Sequence, residues 1–266
     1  EKAFWNPELE NRYSLLEVHH MKKQEFDHGG TRARAAELSD AEVMVFMTQD
    51  AMPSDQKLLE NLVKALMQNT DIGAAYARQL PNAECSFVER YTRSFNYPDQ
   101  SVVKTKKDLP VYGIKTFFCS NVCAAYKKDI YQKMGGFIRK AIFNEDMIYA
   151  GRLIQEGYAI AYAADARVIH SHNYSCRQQF HRNFDLGVSQ AEHPEIFEGI
   201  PSEGEGIKLV KRTIIYLAKK GKIWLIPGVI LQSGCKYAGY LAGKKYRKLP
   251  KKMILWCTMN REYWNV

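Results

Sequence analysis

The residue with the clearest chemical potential is Asp50, which follows a short apolar run in the stretch VMVFMTQDAMP. A continuous apolar run such as residues 43–47 is typical of a strand in a parallel sheet that helices cover on both faces. Ligands bind beyond the carboxyl ends of such strands, where we expect Asp50 to lie. A carboxylate there suits Mg²⁺ or Mn²⁺ carrying a diphosphate, although a turn aspartate before a helix gives the same pattern.

A second acidic pair, Glu145 and Asp146, stands at a predicted helix start that Asn144 can cap. Acidic side chains are favourable at the positive end of a helix, so the pair has a purely structural explanation as well as a chemical one. His170 and His172 are two residues apart and face the same side if the chain is extended there. Cys119 and Cys123 lack a matching second pair, which argues against a zinc site.

The elements that must position these residues alternate between strands and helices. Apolar runs predict strands at residues 43–47, 72–76, 115–126, 159–163 and 167–170. Helices are predicted after Thr31 and Ser54, which can both act as caps, and at residues 129–134 and 145–156. Residues 96–113 contain two prolines and little periodicity, so they are predicted to form a long loop, either a lid or a solvated connection. This alternation indicates an α/β fold.

Composition limits the class of protein. The 266 residues are 46% hydrophobic, enough to bury the core of one large domain or of one domain with an appendage. No run approaches the roughly 20 apolar residues of a membrane-spanning helix. The six cysteines form no CxxC pair, which predicts reduced thiols in a cytosolic protein.

Charge is concentrated near the carboxyl end of the sequence. Residues 206–266 contain 14 Lys and Arg against one acidic residue, whereas the preceding part is mildly acidic. Residues 208–219 alternate apolar and basic positions as an amphipathic helix does, and KKYRKLPKK follows further on. Such segments lie in the plane of anionic membranes, so we expect an anionic membrane surface as a partner. No nucleic-acid motif is present; a helical cap with a solvated basic face remains the structural alternative.

Five motifs in this order resemble the family 2 glycosyltransferases: FDHGGTR, FMTQDAMP, FFCSN, GGF with NEDMIYAGRLIQEGY, and VIHSHNYS. The bacterial rhamnosyltransferase branch is the most similar. The resemblance implies an α/β GT-A (Rossmann-like) fold with a mostly parallel sheet, and transfer of a nucleotide-activated sugar with inversion. Thr48-Gln49-Asp50 keeps only one acid of the family's usual two-aspartate metal motif. The strands that hold the nucleotide base in the family have no counterpart in this sequence.

The resemblance also implies a role for individual residues. Asp146 is expected to be the catalytic base, assisted by Glu145. Asp50 is expected to bind Mn²⁺ or Mg²⁺ together with His170 or His172, of which His170 has the better spacing. Expected donor contacts are Gly29, Gly30, Thr31, Arg32, Gln49, Asp50 and Arg182. Expected acceptor contacts are Ser120, Asn121 and Glu145.

The sequence therefore predicts a glycosyltransferase domain over residues 1–200 and a basic, helical membrane-association segment over residues 201–266. The expected donor is a nucleotide sugar, deoxythymidine-diphosphate (dTDP) rhamnose or else a UDP-sugar, and the expected acceptor is a glycan or a lipid-linked sugar. The expected location is cytoplasmic, peripheral at the inner face of the cell membrane. The alternative is a non-catalytic, membrane-bound assembly subunit that keeps a truncated form of the fold.

Overall fold

One mixed sheet flanked by helices organises the protein. The computed structural model describes residue 6, residues 8–200 and residues 203–264. The strands are β1 Val43–Met47, β2 Met52–Pro53, β3 Ile72–Leu80, β4 Val102–Lys104, β5 Cys123–Lys127 and β6 Ala159–Ile169. The helices are α1 Glu8–Arg12, α2 His28–Glu37, α3 Leu58–Met67, α4 Phe87–Asn96, α5 Leu109–Tyr112, α6 Lys128–Lys133, α7 Glu145–Gln155, α8 Cys176–Glu192, α9 Pro194–Phe197, α10 Glu203–Lys219, α11 Ile226–Lys244 and α12 Lys251–Cys257.

The α/β class is confirmed, but the strand directions differ from the expected mostly parallel sheet. The strand order is β1-β5-β3-β6-β2, with β4 also paired to β6. Among the described strands, β3 and β6 pair in parallel, whereas β5 runs antiparallel to both of its neighbours. Complete burial makes a strand apolar on both faces whichever way it runs. The apolar runs of β3, β5 and β6 therefore indicate burial and carry no information about direction. The run of β1 predicted burial wrongly as well, because β1 lies at the end of the described strand order with Met44 buried and with Val45 and Met47 exposed.

Helices bury both faces of this sheet. On one face α3 packs Leu58, Leu62 and Leu66 against small residues of the strands. On the other face α7 buries Ile148 and Leu153 in the largest of the three core clusters that the described residues form. The apolar side of α3 is wider than its contact with the core, because Val63 is half-buried and Leu59 and Met67 are exposed.

Several predicted elements shift in their bounds. The two strands expected at residues 159–163 and 167–170 are one continuous strand, β6. The loop expected at residues 96–113 contains β4 and α5, and a 3-10 helix at Gly113–Phe117 precedes β5 where a strand was expected. Asn144 precedes α7 in a left-handed conformation with φ of 63° and forms no side-chain cap.

The helices after residue 203 pack on the body of the protein. Gly239 and Gly243 of α11 lie against the backbone of α8, and a Cβ at these positions would meet the Phe180 and Phe184 carbonyl oxygens at 2.2 and 2.1 Å. Leu217 of α10 is fully buried. Among the described residues, none of these helices is long and apolar enough to cross a bilayer.

Candidate active site

Asp50, His170 and His172 form a cluster at one edge of the sheet. Asp50 follows β1, and the two histidines follow β6. The short pairing of β2 with β6, in which Met52 lies opposite Ile169, brings these segments together. Asp50 Oδ2 lies 3.2 Å from His172 Nε2 and 3.5 Å from His170 Nε2, and the two Nε2 atoms are 3.0 Å apart. The three ligand atoms lie within 4.8 Å of one another, a spacing that suits one metal ion.

Gln79, at the end of β3, fixes the orientation of the His170 ring. His170 Nδ1 lies 2.9 Å from the Gln79 side-chain oxygen. Arg93 of α4 donates to the same oxygen, which identifies it as the acceptor of the amide group. His170 therefore carries its proton on Nδ1, and the Nε2 lone pair faces Asp50 and His172. An oriented imidazole of this kind is typical of a metal ligand with a supporting partner.

The protonation states of the cluster also suit a cation. Burial, reinforced by the charge of Arg93, lowers the pKa of His170 to about 4, so this ring is neutral at physiological pH. Partial burial opposes ionisation of Asp50, but Thr48 and His170 outweigh it and lower the pKa of that carboxyl group. One carboxylate and two imidazoles are a ligand set that fits Mn²⁺ and, less closely, Mg²⁺.

The second part of the site is the start of α7. Asp146 accepts hydrogen bonds from the backbone N–H groups of Asn121 and Met147, both at 2.8 Å. Burial and the neighbouring charge of Glu145 raise the pKa of Asp146 to about 7. A carboxylate of this kind binds a proton more readily than an ordinary aspartate and can serve as a general base near neutral pH.

Glu145, next to Asp146, is held in an ion pair. Its Oε1 atom lies 2.5 Å from Arg32 Nη1 of α2 and accepts a second hydrogen bond from Asn121 Nδ2 at 3.1 Å. The side chain is buried, so these two donors compensate the cost of removing its charge from water. Glu145 therefore fixes Arg32 and Asn121 beside Asp146.

Gly29 and Gly30 have a packing role that the sequence did not reveal. Helix α2 begins at His28 with Asp27 as its N-cap, not Thr31, and Asp27 Oδ2 accepts from the Gly30 N–H at 2.6 Å. A Cβ at Gly29 would lie 2.1 Å from the Ile138 carbonyl oxygen. Gly29 therefore lets the start of α2 approach Ile138 and Glu145 closely, and Arg32 on the same helix reaches Glu145, whereas Gly30 leaves room for the capping carboxylate of Asp27.

Ser120 and Asn121 connect the two parts of the site. Gln79 donates from Nε2 to Ser120 Oγ at 3.0 Å, and the next residue, Asn121, binds both Asp146 and Glu145. Asn121 is itself fixed by the Tyr126 hydroxyl, which donates to its side-chain oxygen at 2.8 Å. One network of polar contacts therefore runs from the histidine cluster to Asp146.

Two predicted donor contacts lie at the margin of this network. Gln49 is exposed beside Asp50. Arg182, on α8, places its guanidinium 4.6 Å from the Phe143 ring centroid and 5.7 Å from that of Tyr174. Tyr174 in turn stacks on His172 with ring centroids 5.0 Å apart. Arg182 thus lies on the side of the cluster where its positive charge also contributes to the lowered pKa of His170.

Sequence reasoning missed three residues that build the site: Asp27, Gln79 and Lys104. Lys104 of β4 is buried, and its ammonium group donates to the carbonyl oxygens of Lys115 and Phe118 at 2.9 and 2.5 Å. It therefore holds the chain that leads into Ser120 and Asn121. For Asp27 the signal was present, because an aspartate directly before a helix start is a common N-cap. Gln79 and Lys104 depend on strand register, which the sequence pattern does not specify.

Comparison with known proteins links the chain to sugar transferases. Residues 7–135 match the family described as Glycosyl transferase family 2. The chain is 41% identical over 245 residues to the O-antigen chain rhamnosyltransferase WbaN of Salmonella anatum, covering 91% of this chain and 76% of the relative. It is 40% identical over 254 residues to the O-antigen chain rhamnosyltransferase RfbN of Salmonella typhimurium, covering 94% and 80%.

Two solved structures show a looser likeness. One is a mannosyltransferase from Pyrobaculum calidifontis in complex with GDP-Man and Mn²⁺, with 17% identity, a TM-score of 0.44 and coverage of 87% of this chain and 63% of that chain. The other is S. aureus TarS 1–349 in complex with UDP-GlcNAc, with 11% identity, a TM-score of 0.45 and coverage of 91% and 78%. The extensive sequence likeness therefore carries more weight than the structural one.

Proposed function

Since the chain belongs to glycosyl transferase family 2, we propose that it moves a rhamnosyl group from a nucleotide-diphosphate donor to a glycan or lipid-linked acceptor. The observation that supports this most directly is one polar network that joins a metal-type cluster to a carboxylate of raised pKa. Such a pair of features supplies charge stabilisation at a leaving group and a base for the attacking group. The likeness to two rhamnosyltransferases supports dTDP-rhamnose as the donor, with a UDP-sugar as the second candidate.

In the proposed inverting displacement, the acceptor oxygen bonds to the anomeric carbon as the bond from that carbon to the diphosphate oxygen breaks. Asp146 accepts the proton of the acceptor hydroxyl group. The backbone N–H groups of Asn121 and Met147 hold that carboxylate in place, and Glu145 in turn holds the Asn121 side chain. Ser120, Asn121 and Glu145 are the proposed acceptor contacts. A divalent cation held by Asp50, His170 and His172 would supply positive charge to the departing diphosphate. Arg32, Gln49 and Arg182, with the turn from Gly29 to Thr31, are the proposed donor contacts.

Residues 201–266 are proposed to associate with the inner face of the cell membrane, where a lipid-linked acceptor would be found. The excess of 14 basic residues over one acidic residue in positions 206–266 supports this location. The non-catalytic assembly subunit is not favoured, because the carboxylates and histidines expected of an enzyme lie together in one site.

The test of the proposed base is Asp146→Asn, with the exposed Asp40→Asn as the matched control. The amide keeps the size of the side chain but cannot accept a proton near neutral pH. We expect turnover with dTDP-rhamnose to fall by about 10²–10⁴-fold while the affinity for the donor changes little. A variant that turns over as fast as the parent would place the base elsewhere. A parent that neither transfers nor hydrolyses any nucleotide sugar with Mn²⁺ or Mg²⁺ would instead support the assembly subunit.

A further inference from the structure

Helix α11 presents an apolar surface to solvent. We define the α11 face as Ile230, Leu231 and Tyr237 of α11 together with Ile223 and Trp224 of the 3-10 turn directly before it. All five are exposed, and Trp224 and Leu231 retain 67% and 63% of their accessible surface. The solvent side of a helix in a globular protein is normally polar, and contiguous exposed apolar patches mark interaction sites. The α11 face therefore needs an explanation beyond the packing of this domain.

The opposite side of α11 is already occupied. Gly239 and Gly243 lie against α8, and Tyr240 is buried with its hydroxyl donating to Gln190 Oε1 at 2.8 Å. Helix α10 turns part of its apolar surface inward as well: Leu217 is buried and Tyr216 stacks on Tyr91 with ring centroids 4.2 Å apart, whereas Ile207 and Ile215 stay exposed. The amphipathic segment predicted at residues 208–219 thus uses part of its apolar side for packing within the protein.

Positive charge borders the α11 face at both ends. Between Lys222 and Lys244 the sequence has one charged residue, Lys236, which is partly buried towards the body. Burial lowers the pKa of Lys236. The exposed residues at one end are Lys219 and Lys220, and those at the other are Lys244, Lys245, Arg247 and Lys248. The result is an apolar strip between two basic ends.

This charge pattern decides between candidate occupants. In a two-fold symmetric pair formed through antiparallel α11 helices, the basic end of one copy would meet the basic end of the other, so the charges would repel. An anionic bilayer accepts both ends at once, because its head groups neutralise the lysines while the apolar strip enters the acyl boundary. Trp and Tyr side chains are favoured at that boundary, and the α11 face contains Trp224 and Tyr237.

We propose that the α11 face is a membrane-docking surface, which inserts its apolar side chains in the plane of an anionic bilayer. The proposal deepens the membrane location given under the proposed function. It does not rest on catalysis, because vesicle binding is measured without donor or acceptor.

The test is cosedimentation of the full chain with phosphatidylcholine vesicles, with and without phosphatidylglycerol. The double variant Ile230→Glu, Leu231→Glu removes two apolar side chains of the α11 face. The matched control is Leu59→Glu, Met67→Glu, which changes two similarly exposed apolar residues on α3. We expect the α11 variant to bind anionic vesicles about 100-fold or more weakly than the parent, since each side chain contributes roughly a tenfold factor when buried. The control should bind as the parent does.

A second measurement distinguishes lipid binding from dimerisation through the α11 face. Light scattering is expected to give the same mass for the parent and the α11 variant, and thermal unfolding the same midpoint, because both substituted residues are exposed. Binding should weaken with added salt, and also in a Lys219→Gln, Lys220→Gln, Lys222→Gln variant. Equal vesicle binding by parent and α11 variant would overturn the proposal. A parent dimer that the α11 variant dissociates would assign the face to a second copy.

Discussion

At the scale of single residues, Gln79 is the side chain on which the geometry of the histidine cluster depends. Its side-chain oxygen accepts a hydrogen bond from His170 Nδ1–H and its NH₂ group donates to Ser120, so one residue serves both parts of the site. We expect Gln79→Leu to weaken Mn²⁺ binding by about 10–100-fold, the usual cost of losing such a supporting partner. The measurement is Mn²⁺ titration followed by electron paramagnetic resonance, which needs no turnover.

The control for this substitution is Gln132→Leu, at an exposed position of α6. It should bind Mn²⁺ as the parent does. Unchanged Mn²⁺ affinity in Gln79→Leu would show that the His170 ring is held in place without its hydrogen bond to Gln79.

The raised pKa of Asp146 gives the transfer reaction a pH dependence of definite sign. The proposed base must be deprotonated, so the rate is expected to rise with pH up to about 7 and to level off above it. Glu145→Gln removes the negative charge that raises this pKa, which leaves Arg32 to stabilise the Asp146 carboxylate. The pH-rate profile should then move to lower pH. A profile that stays in place, or that moves to higher pH, would contradict the assignment of Asp146.

The sequence located most of the site's residues and none of the contacts between them. Asp50, Glu145, Asp146, His170 and His172 were identified because their motifs occur in a recognisable order, and the structure brings them into one network. Their roles as base and ligands stay predictions. Gln79 was not predicted as a site residue, because its contacts with His170 and Ser120 depend on which strands are neighbours in the sheet.

At the scale of elements, the contact between α8 and α11 requires glycine at defined positions. A Cβ at Gly243 would lie 2.1 Å from the Phe184 carbonyl oxygen, whereas a Cβ at Gly234 on the same helix would meet nothing within 4 Å. Gly243→Ala should therefore separate the two backbones and destabilise the protein by about 1–3 kcal/mol. Gly234→Ala should stabilise it by up to about 1 kcal/mol through helix propensity alone.

Urea unfolding of the two variants provides the comparison, since the same chemical change is expected to act with opposite signs. If both substitutions raise the free energy of unfolding, or both lower it, the close approach of α8 and α11 contributes little to stability.

The helices were predictable from the sequence where their positions depend on local properties alone. The apolar spacing of α3 and the acidic start of α7 located both helices, because helical periodicity and the charge preference of a helix end are local properties. The direction of β5 and the continuity of β6 are set by pairing with distant strands. Asp165, exposed within β6, interrupted the apolar pattern and suggested two strands where there is one.

At the scale of the whole molecule, residues 201–266 are expected to contribute to stability as well as to location. Phe184 and Val188 of α8 are fully buried in a cluster that also contains Ile254 and Cys257 of α12. A chain ending at residue 200 would expose these side chains, each at a cost of about 1.5–3 kcal/mol. We expect it to unfold at lower urea concentration and to bind a dye that reports exposed apolar surface. Unfolding at the parent's midpoint would show that the two regions are independent domains.

The close contact between α8 and α11 also fixes the distance between the α11 face and Asp146. Helix α8 holds the chain before α7 through Ser189, whose hydroxyl donates to the Phe143 carbonyl oxygen at 2.7 Å, and α7 carries Asp146 two residues after Asn144. A protein docked through α11 would therefore keep Asp146 at one height above the lipid head groups. An acceptor hydroxyl anchored too near the bilayer, or extended too far from it, would miss the carboxylate. The length of the tether between the lipid and the acceptor sugar then decides which acceptors the protein can use.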